Sequence, residues 1–151
     1  VAVTRAPTSR ILAQSAVAVP LTGTTSETTL ATITIPAAAM GANGRVVVKM
    51  LAGAVANTST STLKAKFGGT TYQALTIAAN SGQPTELVIG NRGVTNSQIG
   101  NSSTGFVAAS AVVTSAVDTT ASVDIVITGQ LITAGDTLRI ESYQVILYPK
   151  A

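Results

Sequence analysis

The chain has neither cysteine nor histidine in its 151 residues. Disulfides and thiolate metal sites are therefore excluded, and with them serine–histidine triads, cysteine nucleophiles and the usual zinc and iron centres. Tryptophan is absent and aromatics are 3% of the chain, so little is available to stack on sugars or bases. Charged residues are only 10%, far below the proportion usual in globular domains. The solvated surface must then be built from Thr, Ser, Asn, Gln and Gly. No apolar run approaches the length of a membrane span, and the first residues lack the charged head and apolar core of a signal peptide. Neither a membrane partner nor signal-directed export is expected.

Hydrophobic residues nonetheless make up 46% of the chain, mostly Ala, Val, Ile and Leu. High hydrophobicity with a net charge of only +3 argues against disorder. The length suits one domain with a core of its own. Val, Ile and Thr fit a pleated surface, and Ala packs where two sheets approach closely, so the composition leans to a β-sandwich.

The pattern along the chain agrees. Arg10 to Val19 reads as a first strand ended by Pro20, and Leu30 to Ile35 alternates Ala31, Ile33 and Ile35 with Thr32 and Thr34. PAAAM, from Pro36 to Met40, is the one stretch that could take a helical turn. Asn43-Gly44 reads as a tight turn into RVVVKMLAG, which has the look of a central strand, and Gly68-Gly69 between two β-prone runs predicts a hairpin. Further strands are expected at Thr85 to Ile89, Thr104 to Thr114, Ser122 to Thr128 and, after a Gly135-Asp136 turn, in TLRIESYQVILY. Asn91 to Gly105 is the least patterned interior segment, and unstructured loops of that length are usually functional or mobile. The expected fold is all-β, an antiparallel sandwich of jelly-roll or related topology with about eight strands. Residues 1–9 read as an N-terminal arm and residues 10–151 as a single sandwich domain.

No residue pattern points to catalysis. The six carboxylates are Glu27, Glu86, Asp118, Asp124, Asp136 and Glu141. Asp118 is explained by an Asx turn before Thr119-Thr120, Asp136 by a hairpin turn, and Arg139 with Glu141 by a surface ion pair. No calcium loop or phosphate-cradling glycine motif occurs, so neither cofactor nor metal is expected. The basic residues are scattered without interleaved aromatics. Arg45 with Lys49, and Lys64 with Lys66, share strand faces by spacing, and a solvated face is preferred over a nucleic-acid footprint. Phe67 and Tyr72 about the Gly-Gly turn, and Tyr143 and Tyr148 near the end, fit cross-strand packing better than a glycan platform.

Through PLTGTTSETTLATITIPAAAMGANGRVVV, FGGTTY, NRGVTNSQIG and VDTTASVDIVITGQLITAGDTLRIESYQVIL, the chain resembles a family of small bacteriophage virion surface proteins, similar to jelly-roll capsid decoration (cement) proteins. The resemblance implies a viral structural protein, not an enzyme. Such a protein is made in the host cytoplasm and held at the capsid surface, with the major capsid protein and copies of itself, as homodimer or homotrimer, for partners. It also leaves open a receptor- or glycan-binding head-fibre or tail-fibre tip, with a host glycan as partner. The capsid-contact candidates are Arg5, which could reach an acidic groove, Pro7, which limits the disorder lost on docking, and Arg10 at the root of the arm.

Overall fold

The computed structural model describes residues 8–102 and 111–150. These form an antiparallel β-sandwich. Eleven strands run in the order β1 (Arg10–Ser15), β2 (Val19–Leu21), β3 (Thr28–Ile35), β4 (Arg45–Ala54), β5 (Ser61–Phe67), β6 (Thr70–Ile77), β7 (Gly82–Asn91), β8 (Gln98–Gly100), β9 (Val113–Ser115), β10 (Val123–Leu131) and β11 (Leu138–Tyr148). Sheet I has the order β1-β11-β4-β7-β8-β9, with β2 also on β11, and sheet II the order β3-β10-β5-β6.

Three of the eleven strands, β2, β8 and β9, have only three residues. Without them the sheets read β1-β11-β4-β7 and β3-β10-β5-β6. The first long strand lies beside the last, and the second beside the second-last. That nested order is what two Greek keys give a jelly roll.

Period-2 alternation puts one face of each strand inside. Val46, Val48 and Met50 of β4 with Leu138, Ile140, Val145 and Leu147 of β11 meet Ile33, Ile35, Leu63, Phe67, Ile125 and Ile127 from sheet II. The Thr and Lys positions between them face outward on sheet II. Gly68 and Gly69 take φ of 54° and 85°, the paired positive values a two-residue hairpin needs, and Phe67 and Tyr72 pack edge-on across it with ring centroids 6.3 Å apart. Gly44 is fixed by space: a Cβ there would lie 1.9 Å from the Met40 carbonyl oxygen.

Several expectations need correction. The first run is two strands, and Pro20 lies inside β2 opposite Arg139. It is tolerated because β2 pairs only with β11 and is an edge. PAAAM forms no helix; the Ala39 N–H bonds the Pro36 carbonyl and Ala38 has φ 56°, a tight turn between the sheets. The segment after Asn91 is not bare loop, since it contains β8. Arg139 and Glu141 form no ion pair among the described residues; both flank the buried Ile140, and Glu141 is the residue left out of register by the bulge between Ile140 and Ser142. The strand expected from Thr104 to Thr114 falls largely on residues 103–110, outside the described residues.

Candidate functional site

The connections of the sandwich gather at two ends. At the far end, 55–60, 78–81 and 132–137 meet. Asp136, 3% exposed, accepts from the Thr58 and Ser59 N–H groups at 2.8 and 2.9 Å and from the Thr58 hydroxyl. Donation from the Thr58 N–H holds its carboxyl below the usual range. Buried Asn57 accepts from the Thr137 N–H and exchanges hydrogen bonds with Asn80. Asp136 is thus a staple between loops, which the reading of a simple turn residue missed.

At the arm end, 36–44, 68–69, 92–97 and 116–122 meet the residues on either side of the sheet termini. The core of this end is polar and neutral. Gln98, fully buried, donates from Nε2 to Asn91 Oδ1 at 2.8 Å and to the Val117 carbonyl at 2.9 Å. Its Oε1 accepts from the Ser115 hydroxyl and the Val117 N–H, both at 2.9 Å. Asn91 Nδ2 then donates to the Gly41 carbonyl and Thr119 Oγ1, and Thr119 donates to the Thr95 carbonyl. Ser115 also meets the Tyr72 hydroxyl at 2.7 Å. Burial raises the Tyr72 pKa, so the phenol stays protonated. No buried side-chain polar atom is left without a partner among the described residues. Neutral, closed networks of this kind specify one arrangement of a long connection.

This rigid end carries the surface charge that the sequence leaves scattered. Arg10 opens β1 opposite Leu147, and Arg45 opens β4 opposite Tyr148, so the two flank the end of β11. Lys150 follows β11 and is tied by backbone bonds to Met40 and Asn43. Arg92 follows Asn91, whose N–H bonds the Gly44 carbonyl. Four of the nine basic residues therefore meet at one end. Ser9, Asn43, Arg45, Tyr148, Pro149 and Lys150 line an open pocket there of about 640 Å³. The Arg45 guanidinium sits over the Tyr148 ring, 5.8 Å from its centroid, which holds the charge at the rim. Asp118 lies at the same end, its carboxylate turned into its own Asx turn, accepting from the Thr120 hydroxyl at 2.6 Å and N–H at 2.9 Å. Those bonds, the hydroxyl's first, lower its pKa.

Of the capsid-contact candidates, Arg10 lies at this end and is exposed. Arg5 and Pro7 lie outside the described residues. Lys64 and Lys66 share a face as their spacing suggests, but that face is answered by Glu27, whose carboxylate bonds both ammonium groups and the Thr128 hydroxyl. Those contacts, Lys64 first, lower the Glu27 pKa to about 2. Asp124 accepts from the Thr34 hydroxyl across the β3–β10 pair. The described residues hold no group of three or more acidic side chains placed for a metal ion. Comparison with protein-family models, with curated proteins and with solved structures returns no match.

Proposed function

We propose that this chain is a structural virion protein of a bacteriophage that decorates the capsid, binding the major capsid protein through the arm end, and that it has no catalytic step. The observation that carries the reading is the convergence of Arg10, Arg45, Arg92 and Lys150 on the end from which residues 8 and 9 lead away. A cation cluster on a rigid, neutral base is suited to an acidic protein surface, where complementary charge speeds encounter and sets orientation. The nested strand order supports it as well, since viral capsid domains are among the users of jelly rolls. Fold alone does not assign function, so the weight rests on the charged end.

Self-association belongs to the same reading. Ile11, Ile146, Val47 and Val88 form one cross-strand row on the outer face of sheet I, and Ile11 is 53% exposed. Covering that row in a homodimer or homotrimer removes apolar surface from water with little charge to oppose it. Sedimentation at micromolar concentration checks this: a species larger than the monomer is expected, and a strict monomer both free and on particles would refute it.

Attachment is tested by incubating purified capsids with the protein and measuring occupancy. Deleting residues 1–9, or reversing charge with Arg10→Glu plus Arg45→Glu, should leave the sandwich folded and lower occupancy at least tenfold at sub-saturating protein. Asp118→Asn and Asp124→Asn should bind as the parent does. Full occupancy by the truncated and charge-reversed proteins would remove the arm end from the interface. Binding to host glycans but never to capsids would replace the decoration role with that of a fibre tip.

A further inference from the structure

A sheet edge offers unpaired backbone groups to any other strand, and three of the four edges of this sandwich are blunted against that. On sheet I, β1 begins with Arg10 and is bulged between Ile11 and Ala13, while β2 contains Pro20. The opposite edge, β9, has only three residues. On sheet II, β6 is tied to β7 by the buried Gln73, which donates to the Glu86 carbonyl and accepts from the Thr85 hydroxyl. Charge, bulges, proline, short length and cover are the devices that keep edges from pairing.

The fourth edge, β3, has none of them. Its eight residues, Thr28–Ile35, hold no charge and no proline. It pairs with β10 alone, and β1 and β2 pass beside it in the other sheet without joining it. Among the described residues, no loop backbone group and no side chain bonds the backbone of residues 28–35, so alternate N–H and C=O groups on the outer side of β3 stay open. Its one irregularity falls where Ile127 and Thr128 of β10 face Ala31 and Thr29, which leaves Ala31 to Ile35 as a regular stretch. There Thr32 and Thr34 are exposed, while Ile33 and Ile35 are buried.

The sequence of that stretch selects its partner. Ala-Thr-Ile-Thr-Ile has the same pattern of apolar residues and threonines read from either end. In antiparallel pairing about a two-fold axis at Ile33, Ala31 of one copy meets Ile35 of the other, Thr32 meets Thr34, and Ile33 meets its own mate. Apolar residues then stay on the inner face and threonines on the outer, where opposed Thr pairs stabilise a sheet. A slip of one residue would set Thr against Ile along the whole join. Such self-complementarity is what a two-fold contact between identical chains requires. The four strands of sheet II in each copy would continue as one sheet. A strand-edge contact of this length lies at the small end of specific interfaces, so it is weak alone and gains strength where copies are held side by side.

We propose that β3 pairs edge to edge and antiparallel with β3 of a second copy of this chain. The contact deepens the self-association stated above, is separate from the sheet I row, and does not depend on a capsid. The test is sedimentation of the whole chain from micromolar to millimolar concentration, with hydrogen exchange at both ends of that range. The parent should pass from monomer to a larger species as concentration rises, while alternate amides from Ala31 to Ile35 gain protection. Thr32→Lys plus Thr34→Lys sets like charges across the join and should raise the dissociation constant at least tenfold. Thr32→Lys alone takes its place should the double variant lose its native circular dichroism. Mixing the lysine variant with Thr32→Glu copies should restore association, a result that no other occupant of the edge would give. Ile11→Lys, on the sheet I row, should leave the concentration-dependent protection of β3 in place. The proposal is overturned if the β3 amides gain no protection at any concentration, if the folded lysine variant associates as the parent does, or if mixing restores nothing. Association that is lost in Ile11→Lys and kept in the lysine variant of β3 would overturn it too, and would assign self-association to the sheet I row.

Discussion

The two ends of the sandwich are held by different chemistry. The far end depends on a carboxylate, Asp136, reaching across to 58–59, while the arm end depends on neutral amides, Gln98 and Asn91, packed in the interior. A carboxylate makes strong charge-assisted bonds but can be protonated, whereas an amide network is indifferent to pH and fails mainly if a member is removed. The end proposed to meet the partner is thus the one whose buried polar network is made of groups that carry no charge at acid or neutral pH.

The harshest way to break this comparison is Gln98→Leu. The side chain is of similar size, but the substitution strands Asn91 Oδ1 and both polar groups of Val117 and leaves the Ser115 hydroxyl to Tyr72. A loss of about 3 kcal/mol is expected, since each buried orphan costs on the order of 1–3 kcal/mol and some find water. Urea unfolding measures it, and the loss should be the same at pH 7 and pH 4.

The next effect is at the other end. Asp136→Asn should lower the melting temperature by several degrees at pH 7, because a neutral amide replaces the anionic acceptor of two backbone N–H groups. The sign with pH follows from its lowered pKa: the stabilisation is present above the ordinary carboxylate value and is lost as pH falls through the lowered one. The gap between parent and variant should therefore close on acidification.

Glu27→Gln sharpens the same point on the outer face of sheet II. With a folded pKa of about 2 against 4.5, its contribution is complete above pH 4.5 and lost towards pH 2. The side chain is 28% exposed and screened by solvent, so the neutral-pH loss should be about 1 kcal/mol in chemical denaturation. The smallest effect is expected from Arg45→Gln. Exposed and held against Tyr148, it should change stability by no more than about 0.5 kcal/mol while weakening capsid attachment.

How much of this was legible in the sequence depended on periodicity. The Gly68-Gly69 hairpin, the alternation in β3 and β10, the central β4 and the Asx turn at Asp118 were all readable, because each is a local rule acting within a few residues. The site was not. NRGVTNSQIG reads as solvated loop because Asn91 and Gln98 are polar, and only a tertiary arrangement that satisfies every amide atom lets them be buried. Arg10, Arg45, Arg92 and Lys150 look scattered because the Greek-key path brings them together from four connections. Pro20 misled because an edge strand is a departure from strand rules that a single sequence does not mark.

The measurement closest to the central claim is electron cryo-microscopy of capsids saturated with the protein. The account predicts sandwich domains in clusters of two or three, each with Arg10, Arg45 and Lys150 turned to an acidic patch of the shell and the Asp136 end pointing outward. Density with the Asp136 end on the shell, or saturated capsids without added density, would contradict it.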